Sequence, residues 1–307
     1  MKLFLIPAVT CFLAATFATV AVLLTILSTL SLRRETRFIL MGNALLSDLM
    51  YLFIYTTAGI CNMFNMKISR GICGLILFFL SVTYSGGVFT SALMVVDTYV
   101  AILWPLHYSS VFRPSRTKKL ILFLWLISSF FSSVLFIVLH FTQKERPCQP
   151  DSCSLSLIFV MTLHAEEAIR LFHISCISAF LLCFSSITCC YFFLCYKTRQ
   201  NGVWKSVSSR AGVTFMMHHF ILLSYFCPLL LLLAESVLYI TKDIDFRTCM
   251  LLTMTICDVL ILLPKGISPY LYAFRYREIY NSLLLFCKFK QDILVSPGNR
   301  FTLSGDV

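Results

Sequence analysis

Seven stretches of this chain, at 3–32, 38–63, 71–103, 120–140, 169–196, 212–240 and 249–274, each run for about twenty or more predominantly apolar residues. Roughly 20 such residues are what a helix needs to cross the hydrocarbon core of a bilayer. No water is available there to satisfy backbone N–H and C=O groups, so runs of this length predict helices. The connectors between them are short, which makes consecutive helices antiparallel neighbours. The expected fold is an all-α membrane protein, a seven-helix bundle over residues 1–290 with a short cytoplasmic tail at 291–307.

Composition agrees with that reading. Of 307 residues 59% are hydrophobic and 13% charged, against about 25% charged in a soluble domain. The net charge of +11 does not point to nucleic acid, because the charges cluster in the connectors. Sixteen Lys and Arg fall on one set of alternate connectors and eight on the other. Positive charge is retained on the cytoplasmic side, so the amino terminus is expected outside and the carboxyl terminus inside. Residues 3–32 are too long for a cleavable signal core and end in Arg33, Arg34 and Arg37, which predicts an anchoring first span. Most of the fourteen cysteines lie within apolar runs, where cysteine is a small hydrophobe. No zinc-type Cys-x-x-Cys pair occurs, and no metal or cofactor is expected.

The seventh run holds the anomaly. Pro264, Lys265, Gly266 and Pro269 sit inside otherwise lipid-compatible sequence. A broken helix and a buried amine persist in hydrocarbon only where neighbouring protein satisfies them, so Lys265 requires a partner. Beyond this run, residues 275–288 place Phe274, Leu283 and Phe286 opposite Arg277 and Glu278, the pattern of a short amphipathic helix on the inner leaflet. Cys287 at its end is a candidate palmitoylation site, with a plain buried thiol as the alternative.

Residues 94–108 read Met-Val-Val-Asp-Thr-Tyr-Val-Ala-Ile-Leu-Trp-Pro-Leu-His-Tyr. This resembles the end of the third span in rhodopsin-like (class A) G-protein-coupled receptors, especially the odorant-type branch. Leu45-Leu46-Ser47-Asp48 resembles the second-span Leu-x-x-x-Asp motif, and Trp125 stands where the fourth-span tryptophan is expected. Tyr225-Phe226-Cys227-Pro228 is similar to the sixth-span Cys-Trp-x-Pro, and Ser268-Pro269-Tyr270-Leu271-Tyr272 to the seventh-span Asn-Pro-x-x-Tyr. Each motif alone is of moderate specificity; their order and spacing, over essentially the whole chain, are far more specific.

The resemblance implies a multi-pass plasma-membrane receptor that passes an extracellular, small-molecule and plausibly chemosensory signal to a heterotrimeric G protein. It also implies an outer disulfide from Cys73 to either Cys148 or Cys153. The switch residues it carries over are Asp97, Thr98, Tyr99, Phe226, Pro228, Ser268, Pro269 and Tyr272. Thr98 departs from the pattern, since the family has an arginine there, and residues 203–210 offer no acid to pair with one. That departure leaves two readings open, a weakly held inactive state or impaired coupling. It also motivates the alternative of a non-signalling scaffold.

In the family the second-span aspartate binds sodium with help from the third and seventh spans. Asp48 lies about 15 Å along its span from the inner end and Lys265 about 14 Å, both near mid-bilayer. Lys265 and Ser268 take the seventh-span helper positions and Gly87 replaces a third-span serine. The expectation is that the Lys265 ammonium substitutes for sodium and pairs with Asp48. A retinal-binding lysine would stand at Leu262, so an opsin is excluded. For the ligand, the outer halves of the spans offer Tyr84, Glu235 and Asp258, while Leu80 replaces the aspartate of amine receptors, so a simple biogenic amine is not expected. Asp258 is expected either to make the pocket acidic or to serve a structural hydrogen bond. An enzyme or transporter is disfavoured: there are no paired catalytic aspartates, no His-Glu-x-x-His and no inverted repeat.

Overall fold

Hydrocarbon-length helices dominate the computed structural model, which describes residues 2–64, 66, 68–103, 108, 112–143, 153, scattered positions between 159 and 196, 209–275 and 279. The helices are α1 (Lys2–Ser28), the short α2 (Leu30–Arg33), α3 (Thr36–Met63), α4 (Arg70–Leu103), α5 (Pro114–Gln143), α6 (Ser209–Ile240), α7 (Phe246–Thr255) and α8 (Leu262–Arg275). A π-helical turn, Ile256–Leu260, joins α7 to α8. Among the described residues six helical segments are long and apolar enough to cross a membrane. Of the expected fifth span only isolated positions are described. The amphipathic segment 275–288 with Cys287, the tail 291–307 and Cys148 lie outside the described residues, apart from Arg275 and Ile279.

Each helix turns one stripe inward. On α3 the buried positions Met41, Ala44, Leu45, Asp48, Tyr51 and Leu52 recur at three- and four-residue intervals, while Leu46, Met50 and Phe53 face outward. That spacing is one face of a helix. Because Asp48 falls on the same stripe as its apolar neighbours, it is carried into the bundle rather than toward lipid. Asn43 on α3 ties three helices together: its amide donates to Thr90 of α4 at 2.8 Å and its carbonyl accepts from the Trp125 indole of α5 at 3.1 Å.

The break in the seventh span lies earlier than the prolines alone suggest. α8 runs unbroken through Pro269. Pro264 sits in its first turn, where a helix needs no N–H donor. Pro269 cannot donate to the carbonyl of Lys265; the Ser268 hydroxyl lies 3.2 Å from that oxygen and shares its one proton between it and Asp48 Oδ2 at 3.0 Å. The irregularity is displaced into the π turn just before Pro264, where Ile261 N–H donates to the Ile256 carbonyl. The first and seventh spans pack against each other closely. A Cβ added to Gly266 would lie 2.9 Å from Cys11 Cβ, and the Tyr270 hydroxyl donates to the Ala14 carbonyl at 2.9 Å.

Candidate functional site

At the centre of the bundle Lys265 is fully buried, and its Nζ lies 2.7 Å from Asp48 Oδ1. Lys265 shares the inward face of α8 with Leu262, Ser268, Pro269 and Tyr272. The ammonium also lies over three phenol rings, at 4.8 Å from the centroid of Tyr51, 5.2 Å from Tyr84 and 5.0 Å from Tyr225. Asp48 is saturated from other sides. The Tyr225 hydroxyl reaches both of its oxygens, at 2.9 and 2.8 Å, and the Ser268 hydroxyl donates to Oδ2 at 3.0 Å. An isolated charge at this depth costs roughly 2.5–3.5 kcal/mol or more; here both charges are matched and hydrogen-bonded.

The four positions where the sequence departs from the family pattern around this aspartate converge on it. Lys265 supplies a cation, Ser268 and Tyr225 supply hydroxyl donors, and Gly87 supplies room. A Cβ at Gly87 would sit 3.4 Å from Asp48 Oδ1 and 3.7 Å from Lys265 Nζ, so a larger side chain would press on the pair. These residues do not fit a sodium ion. The cation's place beside the carboxylate is held by a covalently attached ammonium, and Tyr225 and Ser268 turn their O–H groups as donors to Asp48.

Toward the C-terminal end of α4, Asp97 is buried and accepts a hydrogen bond from the Tyr108 hydroxyl at 2.9 Å. Thr98 turns back on its own helix and donates to the Met94 carbonyl at 2.9 Å. The connector carrying Tyr108 is anchored a second time, by the Thr36 hydroxyl to the Phe112 carbonyl at 3.2 Å. Burial, and then the neighbouring Asp97 carboxylate, push the Tyr108 phenol above its ordinary range, so it stays a donor. Arg37 pairs with Glu35 at 2.6 Å close by. Tyr108 has no role in the sequence reading; its place at the end of the Pro-Leu-x-Tyr stretch is the one signal that could have found it. Tyr272 is buried with its hydroxyl 3.8 Å from Met94 Sδ. Pro228 lies inside α6 and Phe226 packs against the core around Tyr225. Of Tyr99 only the backbone is described.

At the N-terminal end of α4, Cys73 forms a disulfide with Cys153. Asn62 holds Cys153 from both faces of its peptide, donating to its carbonyl at 2.6 Å and accepting from its N–H at 3.0 Å. Of the three ligand candidates, Asp258 lies in the π turn and accepts a hydrogen bond from Tyr55. Glu235 of α6 accepts from Thr253 and from the Cys249 thiol of α7 through Oε1, while its Oε2 is buried with no hydrogen-bond partner among the described residues. The Tyr84 hydroxyl is likewise buried with no hydrogen-bond partner among the described residues. Glu235 therefore spends one oxygen on clamping α6 to α7, and Asp258 alone of the two acids faces the tyrosines of α3. Tyr55 was not among the sequence candidates.

Comparison with known proteins gives a consistent result. Residues 18–272 match the family described as "7 transmembrane receptor (rhodopsin family)". Human "Probable G-protein coupled receptor 148" is 26% identical over 271 residues, covering 87% of this chain and 77% of that protein. Human "Olfactory receptor 4N5" is 28% identical over 220 residues, 68% of this chain and 71% of its own. Human "Cannabinoid receptor 2" is 24% identical over 289 residues, 86% of this chain and 72% of its own.

Proposed function

This chain belongs to the seven-transmembrane receptor (rhodopsin) family, and from that premise we propose that it carries an outside small-molecule signal inward through the Asp48–Lys265 cluster. Family membership makes it a G-protein-coupled receptor of the plasma membrane and not an enzyme. The finer reading is as follows. The amino terminus is outside and residues 291–307 form the cytoplasmic tail. The ligand enters among the outer ends of the third, sixth and seventh spans, and the G protein meets the face that carries Asp97, Thr98 and Tyr108.

The single observation that carries this mechanism is the Lys265–Asp48 contact at 2.7 Å, with Tyr225 and Ser268 on the same carboxylate. One acid thereby joins the second, sixth and seventh spans, so a ligand that displaces the sixth or seventh must rearrange an ion pair. Relatives of the family release an ion at this step; this receptor moves a tethered one. The olfactory relatives favour a small, volatile-type ligand.

The test is a ligand screen in cells expressing the full chain with a promiscuous G-protein readout. An activating ligand should keep its affinity for receptor-bearing membranes when sodium in the medium is replaced by potassium. Affinity that tracks sodium would sink the tethered-cation mechanism while leaving receptor function intact. Absence of G-protein recruitment under every condition, in cells with normal surface expression, would instead support the non-signalling scaffold, which the relatives do not favour.

A further inference from the structure

The two halves of α6 are held in different ways. In the C-terminal half Glu235 accepts from Thr253 and Cys249, which clamps the helix to α7. In the N-terminal half Ile221 and Phe226 make apolar contacts in the core cluster, and such contacts are not directional. Ser224 turns its hydroxyl onto the Ile221 carbonyl of its own helix. From Phe220 to Pro228, among the described residues, one side chain hydrogen-bonds to another helix. It is Tyr225, whose hydroxyl lies 2.9 and 2.8 Å from the two oxygens of Asp48 on α3. Between the halves stands Pro228, which removes the helical hydrogen bond to the Ser224 carbonyl and makes that turn the hinge.

We propose that the Tyr225 hydroxyl is the resting-state latch of the sixth span: it ties the N-terminal arm of α6 to Asp48, and signalling breaks it. The proposal rests on the receptor reading and adds the residue that holds the moving helix. The family's arginine latch, absent here at Thr98, belongs to the end of the third span. This one lies at the centre of the bundle.

Three observations carry it. Tyr225 is 4% exposed, so water does not compete for its hydroxyl, and a hydrogen bond to a charged acceptor is about twice as strong as one between neutral groups. The carboxylate is held in place, by Lys265 on Oδ1 and Ser268 on Oδ2, so it cannot turn to follow α6. The phenol ring is itself seated against the Lys265 ammonium, 5.0 Å from its centroid. An arm that swings away from α3 therefore carries the hydroxyl off a fixed acceptor. A contact made in one state and lost in the other is what biases a two-state equilibrium.

The position of the latch sets its stiffness. Tyr225 lies three residues from Pro228 and Ser209, at the end of the arm, nineteen, about 4.5 and 28 Å along the helix axis. The end of the arm thus moves several times as far as Tyr225 does. A latch so near the hinge opposes the full swing and tolerates a partial one.

The experiment uses the full-length receptor in two settings. In cells the readout is basal activation of a promiscuous G protein at matched surface level; in lipid nanodiscs it is amide hydrogen exchange along α6. Tyr225→Phe keeps the ring and removes only the hydroxyl. It should raise the active-to-resting ratio about tenfold, equivalent to ~1.4 kcal/mol. Exchange should quicken in the N-terminal half of α6 and stay at the wild-type rate in the half clamped by Glu235. Tyr270→Phe is the control: it also removes a hydroxyl contact, to the Ala14 carbonyl, but from α8, and should change neither readout. Asp48→Asn combined with Lys265→Met leaves Tyr225 a neutral acceptor and should give a smaller rise; it decides the matter if Tyr225→Phe does not fold. Unchanged α6 exchange in whichever variant folds, exchange quickened evenly over all helices, or the same response from Tyr270→Phe would each overturn the proposal. So would a signalling receptor whose basal activity Tyr225→Phe leaves unchanged or lowers. Selective loosening of α6 with no G-protein signal from any variant would fault the receptor reading and leave the latch standing.

Discussion

Lys265 is the residue whose removal says most. Breaking a buried ion pair from one side leaves an uncompensated charge and costs about 3–5 kcal/mol, whereas removing both charges together is often close to neutral. Asp48→Asn and Lys265→Met should therefore each lower the unfolding temperature and surface level of the receptor. The double variant should recover most of the loss. A double variant no better than the worse single one would show that the two charges do not depend on each other. Tyr225→Phe removes two contacts to a charged acceptor and should cost about 1.5–3 kcal/mol, the range for a hydrogen bond to an ion, read by the same unfolding measurement. Depth along a span is arithmetic on the sequence, so Asp48 and Lys265 could be set at one level before any coordinates. Rotation about the helix axis is not arithmetic. For that reason the Tyr225 and Ser268 hydroxyls on the carboxylate, the three rings around the ammonium and the Tyr55–Asp258 contact were not legible.

At the scale of elements, the outer loop and the seventh span show two kinds of reinforcement. The disulfide fixes Cys153 to α4, and Asn62 fixes the same residue to the end of α3. Cys73→Ser and Cys153→Ser should both reduce surface expression sharply, while Cys148→Ser should leave it near wild type. Asn62→Ala should produce an intermediate loss, since two hydrogen bonds at about 0.5–1.5 kcal/mol each are removed but the covalent tie remains. Loss of expression from Cys148→Ser would mean that the pairing differs in the cell. Sequence could not choose between Cys148 and Cys153, because five residues of separation within a loop impose no geometric preference. The long apolar runs were legible because bilayer thickness dictates their length. The location of the seventh-span break was not, because the π turn lies at Ile256–Leu260, ahead of both prolines, where no residue type marks it.

For the whole molecule the inner face decides how much signal leaks through at rest. With Thr98 at the arginine position, the arginine latch of the family is missing, and the Tyr108–Asp97 hydrogen bond lies within the third span and its own connector. The wild type should therefore show basal G-protein activation above that of cells lacking it, and Thr98→Arg should lower it. A silent wild type that gains signal from Thr98→Arg would mean the substitution has impaired coupling rather than loosened the resting state. Tyr108→Phe should remove the hydrogen bond that ties Asp97 to its connector and change basal activity without altering ligand binding.

The tight seam between α1 and α8 has a consequence for how the molecule is made. Cys11 and Gly266 touch across 255 residues of chain, and ribosomes add about 5–20 residues per second. The first span thus waits in the bilayer for roughly 13–50 s before the helix it fits has been synthesised. During that interval Ala8 and Ala15, which share a buried cluster with Leu262 of α8 in the finished bundle, lack the seventh span that completes their surroundings. A nascent chain that stops short of Gly266 keeps this unfinished surface permanently, which gives the cell's membrane quality control a ready means of telling a truncated receptor from a complete one.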